Sequence, residues 1–157
     1  ALYDSYRFNL SRQIVGEVRG REVLAMLEAM QSGTGSLSTT HARSCEDTVN
    51  KLVTCAMKAG AHVTYDYAVR ALAQSLDVIV HVDARTTEQG KQRWTSQICV
   101  LGPGEKAKGY ALVPVFGCEP GSRTIRAVAG LPEEYDDLAR FGFDLDGYRA
   151  ESQAGVL

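Results

Sequence analysis

From Arg21 to Met30 the apolar residues Val23, Met26, Leu27 and Met30 recur at i, i+3, i+4 and i+7, which is one stripe of a helix. Gly33 and Gly35 then stop it. Ser36 to Ala42 is short, hydroxyl-rich and extended. It ends at Ser44-Cys45-Glu46-Asp47, an N-cap serine with a carboxylate three residues on, so a second helix starts near Glu46. Its stripe is Val49, Leu52, Val53 and Ala56, and Gly60 supplies the stop. Thr64 opens a third helix with Tyr65, Ala68, Val69, Leu72 and Leu76 along one side. At Asp77 to Val82 the pattern switches to a strand. Glu88-Gln89-Gly90 is a turn into a second strand-like run, Trp94 to Leu101, which Gly102-Pro103-Gly104 breaks, so an antiparallel hairpin is expected. Tyr110 to Phe116 is a further strand, placed at a sheet edge because Pro114 has no amide to donate, and Arg123 to Val128 pairs beside it. Leu131 to Arg140 has proline and acids in a first turn and arginine at the end, as a helix macrodipole prefers.

Ahead of these elements, β-branched Ile14 and Val15 run into Gly16-Glu17-Val18-Arg19-Gly20, which reads as a buried strand delivering Glu17 to its C-terminal edge. Ligands of open α/β sheets bind outside the carboxyl ends of the strands, so a charge there is placed where chemistry happens. After the helix, Ser38-Thr39-Thr40-His41-Ala42 does the same with a histidine. A right-handed crossover puts both ends on one side of a sheet, close enough for Glu17 and His41 to share a phosphate.

The chain has 157 residues, 45% hydrophobic, enough for one domain with a real core. Its net charge of −2 and lack of charge runs argue against nucleic acid as a partner. Four cysteines at 45, 55, 99 and 118 have no C-x-x-C spacing, so they read as reduced thiols and no metal site is expected. No apolar run approaches the ~20 residues that span a bilayer, so no direct membrane insertion is expected.

Glu17 admits two readings: a strand-end carboxylate paired to Arg19 or Arg12, or a carboxylate that orients water beside a nucleotide, since phosphoryl transfer asks the protein for positioning and electrostatics. Arg19 either senses phosphate or holds Glu17 in a salt bridge. An imidazole such as His41 suits a phosphate contact because it donates a hydrogen bond while its protonation stays adjustable near neutral pH. His62 and His81 have no ligand spacing and read as structural. Gly33-Thr34-Gly35-Ser36 lacks a lysine, and Gly102-Pro103-Gly104-Glu105-Lys106 lacks G-K-[ST], so neither is a phosphate loop.

Gly16-Glu17-Val18-Arg19 and Thr39-Thr40-His41-Ala42 resemble the Walker B and His-box elements of the type II and type IV secretion and pilus-assembly traffic ATPases, most closely their Tad/Flp branch. Arg7-Phe8-Asn9-Leu10-Ser11-Arg12 is similar to the family's lead into the Walker B strand, Ala71 to Val82 to its next segment, and Thr124 to Tyr148 to its C-terminal piece. Leu10-Ser11 replaces Pro-Asp, and Arg43 stands where Asn is usual. The resemblance implies an α/β fold: the C-terminal half of a RecA-like P-loop ATPase core, lacking Walker A, with an antiparallel hairpin extension and a C-terminal helix. Within a single domain 1–157, residues 1–85 would be the core part and 86–157 the extension. It further implies Glu17 as the catalytic, water-orienting residue, His41 and Arg19 as phosphate sensors, and Arg12 and Thr40 close to the nucleotide. ATP and Mg²⁺ would be cofactors of the parent protein, with none bound to this fragment alone. The parent would be a homo-hexamer, cytoplasmic and peripheral to the inner membrane, working with secretion or pilus platform proteins. The alternative is a non-catalytic interaction domain that keeps the motor fold.

Overall fold

The computed structural model describes residues 8, 10–32, 35–105 and 107–154. Arg7, Asn9, Gly33, Thr34 and Lys106 of the motifs above lie outside that set. The chain forms two compact units, one of residues up to Asp77 together with Leu101–Leu112, the other of Val78–Val100 with Val113 onward.

In the first unit β1 (Ile14–Val15) runs through α1 (Val23–Ser32) to β2 (Leu37–Ser38), and the two strands pair in parallel with Ile14 opposite Leu37 and Val15 opposite Ser38. The helices α2 (Cys45–Met57) and α3 (Tyr65–Ser75) follow. All three helices pack on one another. The stripes read from the sequence form their core: Val23, Met26 and Leu27, then Val49, Leu52, Val53 and Ala56, then Ala68, Val69 and Leu72 are all buried. Ser44 caps α2 by accepting the amide of Asp47 at 3.0 Å, and Thr64 caps α3 by accepting that of Tyr67 at 3.2 Å. Tyr65, assigned to the α3 stripe, is instead exposed, because it sits in the first turn beside the cap.

The first strand departs from expectation. Its ladder is two residues long, and Ile14 is 74% exposed, whereas Val18 further along is fully buried. Among the described residues this sheet has just two strands, so nothing covers Ile14 or its neighbour Leu37.

The larger sheet has the order β3 (Val78–Thr87), β4 (Gly90–Pro103), β5 (Tyr110–Cys118), β6 (Ile125–Ala127), with β3/β4 and β5/β6 antiparallel. The hairpin turn falls at Glu88-Gln89 as expected, and a bulge interrupts the ladder between His81 and Val82. Strand β5 is not an edge. It tolerates Pro114 because β6 pairs only with Phe116, Gly117 and Cys118, which leaves the proline before that ladder begins. Gly104 is required at the loop back to β5: a Cβ there would lie 2.2 Å from the backbone carbon of Tyr110.

Beyond β6, Glu133–Phe141 forms 3-10 turns rather than an α-helix; no residue in it is fully buried, and of its side chains Tyr135 packs against the neighbouring core, so it has little of the tertiary packing that stabilises most helices. Helix α4 (Leu145–Ala154) follows. Its Tyr148 joins Val100, Val115 and Ala127 in the core of the second unit. Cys45, Cys55 and Cys99 are buried and form no disulfide, and Cys118 is half-buried. No described helix is long and apolar enough to cross a membrane.

Candidate functional site

The parallel β1–α1–β2 crossover sets Glu17 and His41 just beyond the carboxyl ends of paired strands. The backbone continues the ladder there, with the Val18 amide donating to the Thr39 carbonyl at 2.9 Å. Two threonine hydroxyls staple the segments on either side of Glu17: Thr39 Oγ1 donates to the Gly16 carbonyl, and Thr40 Oγ1 to the Val18 carbonyl at 2.8 Å. Thr40 therefore spends its hydroxyl proton on the backbone.

Across this frame Glu17 Oε1 lies 3.2 Å from His41 Nε2, and Glu17 Oε2 accepts from Arg19 Nη2 at 2.5 Å. The Glu17 side chain is 25% exposed, against 85% for His41 and 75% for Arg19, so a recessed carboxylate is rimmed by open cationic or ionisable groups. The Arg19 guanidinium holds the Glu17 carboxyl below the usual carboxylate range; partial burial opposes it, while the nearby charges of His41 and Lys51 reinforce it. Glu17 is thereby kept an anion that only accepts hydrogen bonds. The 3.2 Å approach of His41 Nε2 is not a hydrogen bond, so Oε1, although buried, has no hydrogen-bond partner among the described residues.

Three supports went unread in the sequence. Glu22 folds back, its Oε1 accepting the amides of Arg19 at 2.6 Å and Gly20 at 2.8 Å, and these amides depress its own pKa. Lys51 Nζ donates to the His41 carbonyl at 2.5 Å, and Cys55 Sγ to the Arg19 carbonyl at 3.4 Å. Lys51 and Cys55 are one helical turn apart on α2, and the Ser44 cap fixes the phase of that helix, so their shared face was derivable from the 3.6 period. Arg43 is turned to its own helix, pairing with Asp47 at 2.9 Å. Arg12 does not join the group. It donates to the Gly35 carbonyl at 3.4 Å, ahead of β1 and β2, and since the strands are parallel this is the opposite end of the ladder from Glu17. His81 contacts Ser96 Oγ at 2.8 Å. No three His, Cys, Asp or Glu residues among those described are grouped to hold a metal ion.

The mixed helix/sheet fold presents an acid and a histidine just beyond the carboxyl ends of two parallel strands, the end outside which ligands bind in open α/β sheets. Residues 7–125 match the family described as Type II/IV secretion system protein, and the chain belongs to that family. Among solved structures it is similar to the VirB11 ATPase of the Brucella suis type IV secretion system, crystallised with sulphate, at 29% identity and a TM-score of 0.56 over 63% of this chain. The ATPase DotB of Yersinia pseudotuberculosis shares the fold at 16% identity and a TM-score of 0.53, also over 63% of this chain. The chain matches 30% of the first and 25% of the second, so it spans less than a third of either. No curated protein matches it.

Proposed function

We propose that the chain is the Walker B and His-box half of a RecA-like motor: a hexameric ATPase that powers pilus assembly or type II/IV secretion from the cytoplasmic face of the inner membrane, docked on platform proteins there. The observation that carries this is the 3.2 Å approach of Glu17 to His41 off two parallel strands. The donor set suits ATP with Mg²⁺. Arg19 and Lys51 bring positive charge and His41 an imidazole for phosphate oxygens, and the unpartnered Glu17 Oε1 is an acceptor for one proton of a water. When bound, ATP supplies the terminal phosphoryl group and Mg²⁺ offsets its charge. Glu17, held ionised by Arg19, orients water and does not take its proton in the ground state. His41, tethered through its carbonyl to Lys51, reads the terminal phosphate and passes its presence to α2.

In the full-length parent, Glu17→Gln keeps size and reach but removes charge. Turnover is expected to fall on the order of 10²-fold or more, with ATP affinity nearly unchanged. Unchanged ATPase activity in that variant would favour the scaffold reading, in which Glu17 is the salt-bridge partner of Arg19 and nothing more.

A further inference from the structure

A concave site lies wholly within the second unit. It is a groove of about 520 Å³ lined by Phe116, Phe143, Tyr148, Asp144 and Glu151, with Gly142 and Gly147. All of these but Phe116 lie beyond residue 125, where the match to the secretion family stops. Its floor is rigid. Tyr148 is 4% exposed, and its hydroxyl lies 2.6 Å from the Ala129 carbonyl and 3.0 Å from that of Val115. The Phe116 ring meets it edge-on at 5.0 Å and Phe143 at 5.7 Å. Phe141, beside the groove in sequence, is 85% exposed.

The segment that supplies most of this lining is one-sided in charge. From Leu131 to Ala154 there are seven carboxylates against Arg140 and Arg149, while the remainder of the chain has more bases than acids. Both arginines are engaged, Arg140 with Asp137 at 3.3 Å and Arg149 with Asp136 at 2.8 Å, and Arg126 pairs with Glu151 at 3.2 Å. Glu133, Glu134, Asp144 and Asp146 have no ion-pair partner among the described residues. An aromatic floor with carboxylates at its rim attracts a cation through both charge and ring quadrupole.

We propose that this groove docks a basic segment of a protein partner, with a Lys or Arg over the half-buried Phe116 and Phe143 rings beside Asp144 and Glu151 and a neighbouring apolar side chain against Phe141. Charge complementarity selects this occupant. A second copy meeting the same face would set acid against acid, and an anionic membrane surface would be repelled. The site is independent of the Glu17 reading.

The test is selection of a random peptide library displayed on phage against this chain, followed by fluorescence anisotropy with the enriched peptide. Sequences with Lys or Arg next to an aliphatic or aromatic residue are expected, with affinity falling as salt rises. Asp144→Asn retains an acceptor for the Gly147 amide, and Glu151→Gln retains one for the Ala127 amide, so the double variant keeps the fold while losing both charges. It should bind about tenfold more weakly and with a flatter salt dependence. Phe141→Ser, at an exposed position, should weaken binding several-fold. Peptide-induced amide shifts in the wild-type chain should centre on Gly142, Phe143 and Gly147, a readout that needs no variant. Enrichment without basic residues, unchanged affinity in the double variant, shifts confined to other segments, competition by phosphatidylcholine vesicles, or self-association in place of peptide binding would each overturn the proposal.

Discussion

Glu17 owes its charge state to one neighbour, and that dependence is measurable. Its folded pKa lies below the ordinary 4.5, chiefly through the Arg19 hydrogen bond. A depressed carboxylate stabilises the fold above its unfolded pKa, and that contribution disappears as pH falls through the folded value. The Glu17–Arg19 pair is therefore fully present above 4.5 and weakens below it. Carboxyl-resolved NMR titration should give Glu17 a midpoint under 4.5, and Arg19→Leu should move it upward, since the opposing burial remains; a midpoint indifferent to that change would remove Arg19 as the cause. At this scale the sequence singled out Glu17, His41 and Arg19, which the fold brings together, because Gly-Glu-x-Arg and Thr-x-His-Ala are local patterns. Lys51, Cys55 and the Glu22 fold-back stayed hidden because each acts on a backbone group that sequence patterns do not display. Arg12 lies apart from Glu17 for a topological reason: sequence proximity to a parallel strand does not say which end of it a side chain serves.

Helices announced themselves more clearly than strands. Their caps are side-chain chemistry at fixed offsets, and Ser44 and Thr64 stand where that chemistry demands. Ser44→Ala should cost about 1 kcal/mol in urea denaturation. Strand boundaries depend on what lies beside them, which is why the ladder at Ile14 is short and why Pro114 sits in an interior strand. Helix α4 was missed as an amphipathic element because just Tyr148 and Ser152 are buried along it. The tie between Glu46, Lys108 and Tyr110 is a link between elements that no periodicity displays: Glu46 Oε1 accepts from Lys108 Nζ at 2.8 Å and from the Tyr110 hydroxyl at 2.9 Å. Lys108 lowers the Glu46 pKa and is itself raised in return. The tie therefore holds in full between about pH 4.5 and 10.5 and loosens outside that window. Amide exchange in residues 107–110 should accelerate below pH 4.5 in the wild-type chain and show no such step in Glu46→Gln. Gly104→Ala, by contrast, should destabilise by more than about 1 kcal/mol at any pH, since the atom in its way is backbone. A melting temperature equal to wild type would show that the loop has another conformation available.

For the whole chain, membership of the secretion family follows from several weak motifs in order, and the coverage of its solved relatives is partial. The residues described around Glu17 make one cationic wall, and the sequence holds no G-x-x-x-x-G-K-[ST] to cradle phosphates. Calorimetry of this chain should accordingly detect little or no Mg²⁺-dependent ATP binding; a micromolar affinity would mean that the wall suffices alone.

The buried cysteines carry a last consequence. Cys45 and Cys55 belong to the first unit and Cys99 to the second, and all three are buried. An alkylating reagent reaches them only when the surrounding structure opens, so pulsed labelling followed by peptide mass spectrometry turns the three sulfurs into native clocks. Equal rates would mean that the chain opens as one cooperative body, and unequal rates would give each unit its own opening free energy with no engineered probe.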